Sequence, residues 1–129
     1  MARLLLDTHF VLAAADGVMA EKFPRFYATV VSSVGEVFVS TASLWEMAIK
    51  TRIGKLAPPL PLNEIPAYLE AAGFILMGIE VEHVLTAAHP EPPTRDPFDR
   101  LLLAQAQVEK LQLVTIDRAL VGHPLAFRL

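Results

Sequence analysis

Arg95-Asp96-Pro97-Phe98-Asp99-Arg100-Leu101-Leu102-Leu103-Ala104 is the densest chemical signal in the chain. Two carboxylates flank a Pro-Phe pair at the head of an apolar run. Asp96 has the acceptor side chain of an N-cap, Pro97 the fixed φ of a first helical position, and Asp99 falls at the third. The spacing predicts a helix from here to about Lys110, with Leu102, Leu103 and Ala106 facing a core and Asp99 one turn before them on that side. Taken alone, the segment reads equally well as a capped helix whose acidic first turn suits the helix dipole. The other strand ends decide what the acids are for.

Leu4-Leu5-Leu6 is apolar on both faces and ends in Asp7-Thr8, as a buried parallel strand does. A helix over 9–15 follows, then a turn at Asp16-Gly17. Residues 21–33 carry Phe23, Phe26, Tyr27, Val30 and Val31 at helical spacing and read as one amphipathic helix, broken by Gly35. Val37-Phe38-Val39 is a second strand ending at Ser40-Thr41. Ser43-Leu44-Trp45-Glu46 fits a capping box that opens a helix running to Gly54, with Trp45 assigned to a core or an interface. Residues 62–72 read as helix, 74–77 as a third strand and 82–88 as a short helix. The proline-rich 89–93 is a loop. Leu113-Val114-Thr115 is a fourth strand, followed after Asp117 by a short turn of helix, and 126–128 a fifth, edge strand. Strands alternating with helices predict an α/β fold: a central parallel sheet of four to five strands with helices on both faces and right-handed connections.

The 129 residues suit a single domain, 1–129. Hydrophobic residues make up 53% and charged ones 19%, which predicts a large core with some apolar surface left for a partner. No apolar run is long enough to span a bilayer, and Asp7 and His9 interrupt the N-terminal one before it resembles a signal peptide, so no membrane association and a cytoplasmic setting are expected. With no cysteine, thiolate metal sites, disulfides and cysteine nucleophiles are excluded. At a net charge of -3, any nucleic acid must be held by a local basic patch or through bound metal. Lys50, Arg95 and Arg100, near the acids in sequence, are the candidates for RNA contacts.

Asp7 follows the first strand, Glu46 lies in the first turn after the second, Asp99 opens the helix before the fourth and Asp117 follows the fourth. In a right-handed α/β sheet these positions meet beyond the carboxyl ends of the strands, where ligands bind. Each acid alone is accounted for as a cap or a dipole partner. Together they repel and raise one another's pKa values, so a sheet that gathers them calls for a cation. Carboxylates without cysteine or clustered histidine favour Mg²⁺ or Mn²⁺. Such an ion can activate water and neutralise a phosphodiester. Asp7, Glu46, Asp99 and Asp117 are therefore the candidate catalytic and metal-binding residues. Thr8 and Thr115 are accessory groups that could orient water or ligands. His9, His83, His89 and His123 lack metal-ligand spacing and are read as non-ligands.

The chain as a whole resembles the PIN-domain family, and within it the VapC-type toxins of bacterial toxin–antitoxin pairs. The resemblance rests on Leu4-Leu5-Leu6-Asp7-Thr8-His9, on 40–50 with its Ser-Leu-Trp-Glu piece, on Gly54-Lys55-Leu56, on Arg95-Asp96-Pro97-Phe98-Asp99-Arg100 and on Val114-Thr115-Ile116-Asp117, in family order. It implies a three-layer fold and a Mg²⁺- or Mn²⁺-dependent endoribonuclease that leaves a 5′-phosphate and a 3′-hydroxyl. It also implies inhibition by a cognate antitoxin protein, and a homodimer. Asp7, Glu46, Asp99 and Asp117 match the family's acidic set, and Asp96 an accessory acid. Thr94 stands where many relatives have histidine. Two other readings remain open: a phosphoacceptor module with Asp7 as nucleophile, and a non-catalytic partner of an antitoxin or other peptide in which the acids serve as caps.

Overall fold

The computed structural model describes residues 2–128, with side chains at all of these except 30–34. Four parallel strands form the sheet: β1 (Ala2–Leu6), β2 (Val34–Ser40), β3 (Ile75–Met77) and β4 (Gln112–Val114), in the order β3-β2-β1-β4. The chain moves outward from β1 to β2 and β3, then returns to lay β4 on the other side of β1. The strand order thus reverses at β1, the place where α/β sheets bind ligands.

Side chains alternate across the sheet and divide the core. Leu4, Leu6, Val37, Val39 and Val114 pack on one face with α1 (Thr8–Ala15), α2 (Met19–Lys22), Phe26 of α3 (Pro24–Ser33) and α5 (Ile65–Ala71). Leu5 and Leu113 pack on the other with Ala42 of α4 (Thr41–Arg52) and with Leu102, Leu103 and Ala106 of α7 (Pro97–Glu109). The three-layer α/β architecture follows from that two-residue period. A short helix, α6 (Val81–Leu85), is fastened to α7 by buried His83, whose Nε2 lies 2.8 Å from Glu109 while its Nδ1 accepts from the Glu80 backbone N–H.

Several elements differ from the sequence reading. The helix expected over 21–33 is two, α2 and α3, parted at Phe23, because Pro24 begins a new helix more readily than it continues one. The side chains of Val30 and Val31 lie outside the described residues. Over 62–72 a turn of 3-10 helix, Leu62–Glu64, precedes α5. After Asp117 the chain makes turns and no helix. The fifth strand reduces to one bridge between Ala126 and Leu113, because Ala126 N–H donates back to His123 and closes a turn.

The largest correction concerns α4. Its N-cap is Ser40, in extended conformation, whose hydroxyl accepts from Ala42 N–H at 3.0 Å. Ser43 and Glu46 therefore sit inside the helix, one turn apart on one face, and form no capping box. Trp45 is 56% exposed, so it is not a core residue; it meets Phe98 edge-to-face with ring centroids 5.5 Å apart.

The two serines test this assignment. Ser40→Ala should cost about 1 kcal/mol in chemical denaturation, the usual worth of a cap. Ser43→Ala should cost less, since Thr8 keeps Glu46 as a partner. The reverse order of losses would restore Ser43 as the cap.

Candidate active site at the carboxyl ends of the strands

Leu4, Leu5 and Leu6 of β1 are fully buried, and the next side chain, Asp7, is the N-cap of α1: its Oδ1 accepts from Phe10 N–H at 3.2 Å. Asp96 caps α7 as its sequence suggests, with Oδ1 accepting from Phe98 N–H at 2.8 Å and Asp99 N–H at 3.3 Å. Asp117 Oδ1 accepts from Ala119 N–H at 2.8 Å, and Thr115 Oγ1 steadies the same turn by accepting from Asp117 N–H at 3.0 Å. Glu46 is buried and held at both oxygens. Thr8 donates to Oε1 at 2.7 Å and Lys50 Nζ lies 2.7 Å from Oε2. The Glu46–Lys50 pair is thus half buried.

These acids converge. Asp7, Glu46, Asp96, Asp99 and Asp117 all line one cavity of about 110 Å³, together with Thr8, His9 and Lys50. Burial, first, and then the charges of Asp96, Asp117, Glu46 and Asp7 push the Asp99 carboxyl up to about 7. Among the described residues no hydrogen-bond donor reaches that carboxyl, in contrast to the other four acids. The Asp7 carboxylate, 3.7 Å from its Nδ1, raises the pKa of His9, and the hydrogen bond to Glu46 raises the pKa of Lys50. The Lys50 ammonium and the His9 ring therefore lean on the cluster without neutralising it.

An all-oxygen donor set suits Mg²⁺ or Mn²⁺. Among the described residues no three acids or histidines stand close enough to chelate one ion as a ready-made cage. Mg²⁺ does not demand one, since it is bound through one or two carboxylates and keeps several waters. The Asp99 carboxyl, without a donor and crowded by like charge, is the natural point of attachment, and the residues fit such an ion.

Other named residues lie elsewhere. Thr115 is not part of the cavity lining, and neither are Arg95 and Arg100. Arg95 is exposed. Arg100 donates to the Thr94 carbonyl at 2.7 Å and pairs with Glu91 at 3.0 Å, so its guanidinium braces the preceding loop. His123 is buried away from the cavity: Nδ1 accepts from Leu125 N–H and Nε2 lies 2.7 Å from the Pro90 carbonyl. Ser43 is an addition, its Oγ 3.1 Å from Thr8 Oγ1 and buried behind Glu46. Its spacing of three from Glu46 was the available signal, masked by the capping-box reading.

Comparison with curated proteins finds no match. Among solved structures, the fold is similar to a chain of a toxin-antitoxin complex from Klebsiella pneumoniae, with a TM-score of 0.59 at 17% identity over 97% of this chain and 96% of that one. At that identity the likeness is one of fold. No helix among the described residues is long and apolar enough to cross a membrane. The sequence match to the PIN domain family runs across residues 4–122, from the buried leucines of β1 to beyond Asp117, and takes in every acid of the cavity; the chain belongs to the PIN domain family.

Proposed function

We propose that the whole chain, as a single domain, is a Mg²⁺- or Mn²⁺-dependent endoribonuclease, the toxin of a toxin–antitoxin pair, working in the cytoplasm as a homodimer. The observation that carries the reading is the convergence of five carboxylates on one small cavity at the strand ends, with Asp99 raised to about 7 in the absence of a cation. Family membership supports a nuclease, and the toxin-antitoxin fold neighbour supports an antitoxin partner.

Asp99 would hold the ion directly, and Asp7, Glu46 and Asp117 would hold it with Asp99 through the waters such an ion keeps. A divalent cation held there would neutralise charge on the phosphodiester and make the attacking water more acidic. Water attacks phosphorus and the bond to the 3′-oxygen breaks, leaving a 5′-phosphate and a 3′-hydroxyl. Thr8 and Lys50 fix the Glu46 carboxylate from both sides, so it meets the ligand without reorganising. Asp99 carries a proton part of the time near neutral pH and releases it to solvent as positive charge arrives. Exposed Trp45 on α4 and Ile53 at its C-cap support a dimer contact. Arg95, exposed beside Asp96, supports an RNA contact outside the cavity.

The direct test is RNA cleavage by purified, partner-free protein with Mn²⁺ or EDTA. Asp7→Asn and Asp99→Asn should lose roughly a hundredfold or more, and Thr8→Val, which frees Glu46 on one side, between about 10- and 100-fold. Equal cleavage by wild type and Asp99→Asn would sink the reading.

Metal linkage gives a second measurement. The folded pKa of Asp99 lies above its unfolded value, so the unfolded state binds fewer protons between the two. This group's contribution therefore favours folding least above about pH 7, and stability falls as pH rises from about 4 to about 7. In EDTA, melting of wild type should decline over that range more than melting of Asp99→Asn. At tenfold over its Kd, Mn²⁺ should add about 1.4 kcal/mol, roughly 3–6 °C. Asp7→Asn and Asp99→Asn should lose most of that gain, and Glu64→Gln, on the distant 3-10 turn, should keep it. A full metal response from both Asn variants would make these acids caps alone.

Assembly is read by light scattering at tens of micromolar, a concentration chosen as an order of magnitude for ordinary interfaces. A dimer is expected, weakened by Trp45→Ala. A monomer at that concentration would rule the dimer out.

A further inference from the structure

A second cavity, of about 370 Å³, opens beside the acidic one. The two share His9, Leu12 and Leu56 as a common wall. The second is built on the same strand ends, because His9 stands two residues after Asp7 and Ile116 immediately before Asp117. Leu12, Phe23 and Ile116 make its lining apolar, and Phe23 is held against Phe10 with ring centroids 4.1 Å apart. Exposed Asp16 and Lys22 bring one negative and one positive group to its rim. No step of the hydrolysis uses this space.

We propose that this cavity receives the nucleoside adjoining the scissile phosphate and prefers guanine; the proposal rests on the nuclease reading. An RNA strand with a phosphate over the acids carries a base on either side of it, and the shared wall puts this recess within its reach. Single-stranded RNA is recognised by bases splayed out, stacked on aromatic rings and hydrogen-bonded along their Watson–Crick edges. His9 and Phe23 supply rings, and the aliphatic lining accepts a base face. A carboxylate only accepts hydrogen bonds, and its two oxygens match two parallel donors. Guanine alone presents two adjacent donors, N1–H and the 2-amino group, on that edge. Uracil presents one N–H between two carbonyls that a carboxylate repels. Asp16 is therefore the specificity-determining side chain, and Lys22 is placed to meet a neighbouring phosphate.

The test uses purified protein with Mn²⁺ and short single-stranded oligoribonucleotides in which the base on either side of one cut position is varied. Binding of the same oligonucleotides is followed by fluorescence anisotropy with Asp99→Asn, which keeps the cavity but should not cut. Guanine at one of the two positions should be favoured about tenfold over uracil in both cleavage and binding. Asp16→Asn should still cut but lose the preference, since it offers one acceptor and one donor. Ala57→Trp, filling the cavity from an exposed lining position, should weaken binding and cleavage of every oligonucleotide. Equal treatment of guanine and uracil by wild type overturns the proposal. So does a wild-type pattern from both variants, the result expected if a protein segment occupies the cavity. Wild type that cuts no oligonucleotide overturns the nuclease reading and this proposal with it, and the cleavage assay tells the two failures apart.

Discussion

A stretch of strand buried on both faces and paired on both edges has no place for a charged side chain until it ends. The second half of β1 is such a stretch, flanked by β2 and β4, with Leu4, Leu5 and Leu6 fully inaccessible after exposed Arg3. Asp7 is the first residue past that constraint, and the helix that begins there gives its carboxylate backbone N–H groups to meet. The acidic cavity stands where the apolar layer stops. Its remaining members arrive on α4, on α7 and on the turn after β4, all packed against or paired with β1 or its neighbours.

Gathering carboxylates costs free energy through mutual repulsion, and the chain limits that cost by giving most of them a local task. Asp7 and Asp96 cap helices, Asp117 holds a turn, and Glu46 is shared between Thr8 and Lys50. Structural and chemical explanations of these acids are therefore not rivals, because the N–H groups that make a good cap also make a carboxylate tolerable beside its neighbours. Asp99 is left without such help, and its carboxyl is the one displaced toward neutrality.

Much of this was legible. The doubly apolar Leu4–Leu6 run announces a central parallel strand, and Asp96-Pro97 announces a helix start, because both depend on neighbours in sequence. The failures lie where a distant partner decides. Ser40 and Ser43 are both competent caps. β2 stays extended through Ser40 because Ser40 pairs with Met77 of β3, and this moves the helix start three residues earlier. The Thr8–Glu46 bond joins residues 38 apart and has no local signature. Arg100 was placed with the RNA contacts on charge alone, and a nearby carbonyl and Glu91 took it instead. The break at Phe23 was readable from Pro24 and was overridden by the apolar periodicity around it.

The pairing of the first strand with the last has a consequence for synthesis. β4 binds β1 through Leu4–Gln112, Leu5–Leu113 and Leu6–Val114, so the middle of the sheet waits for residues more than a hundred positions after β1 to leave the ribosome. Such non-local pairing is slow to form relative to local helices. Asp7 and Glu46 emerge early, but Asp99 and Asp117 join them only after α7 and β4 have docked. A nascent chain therefore has no assembled acidic cavity until β4 has emerged and docked beside β1.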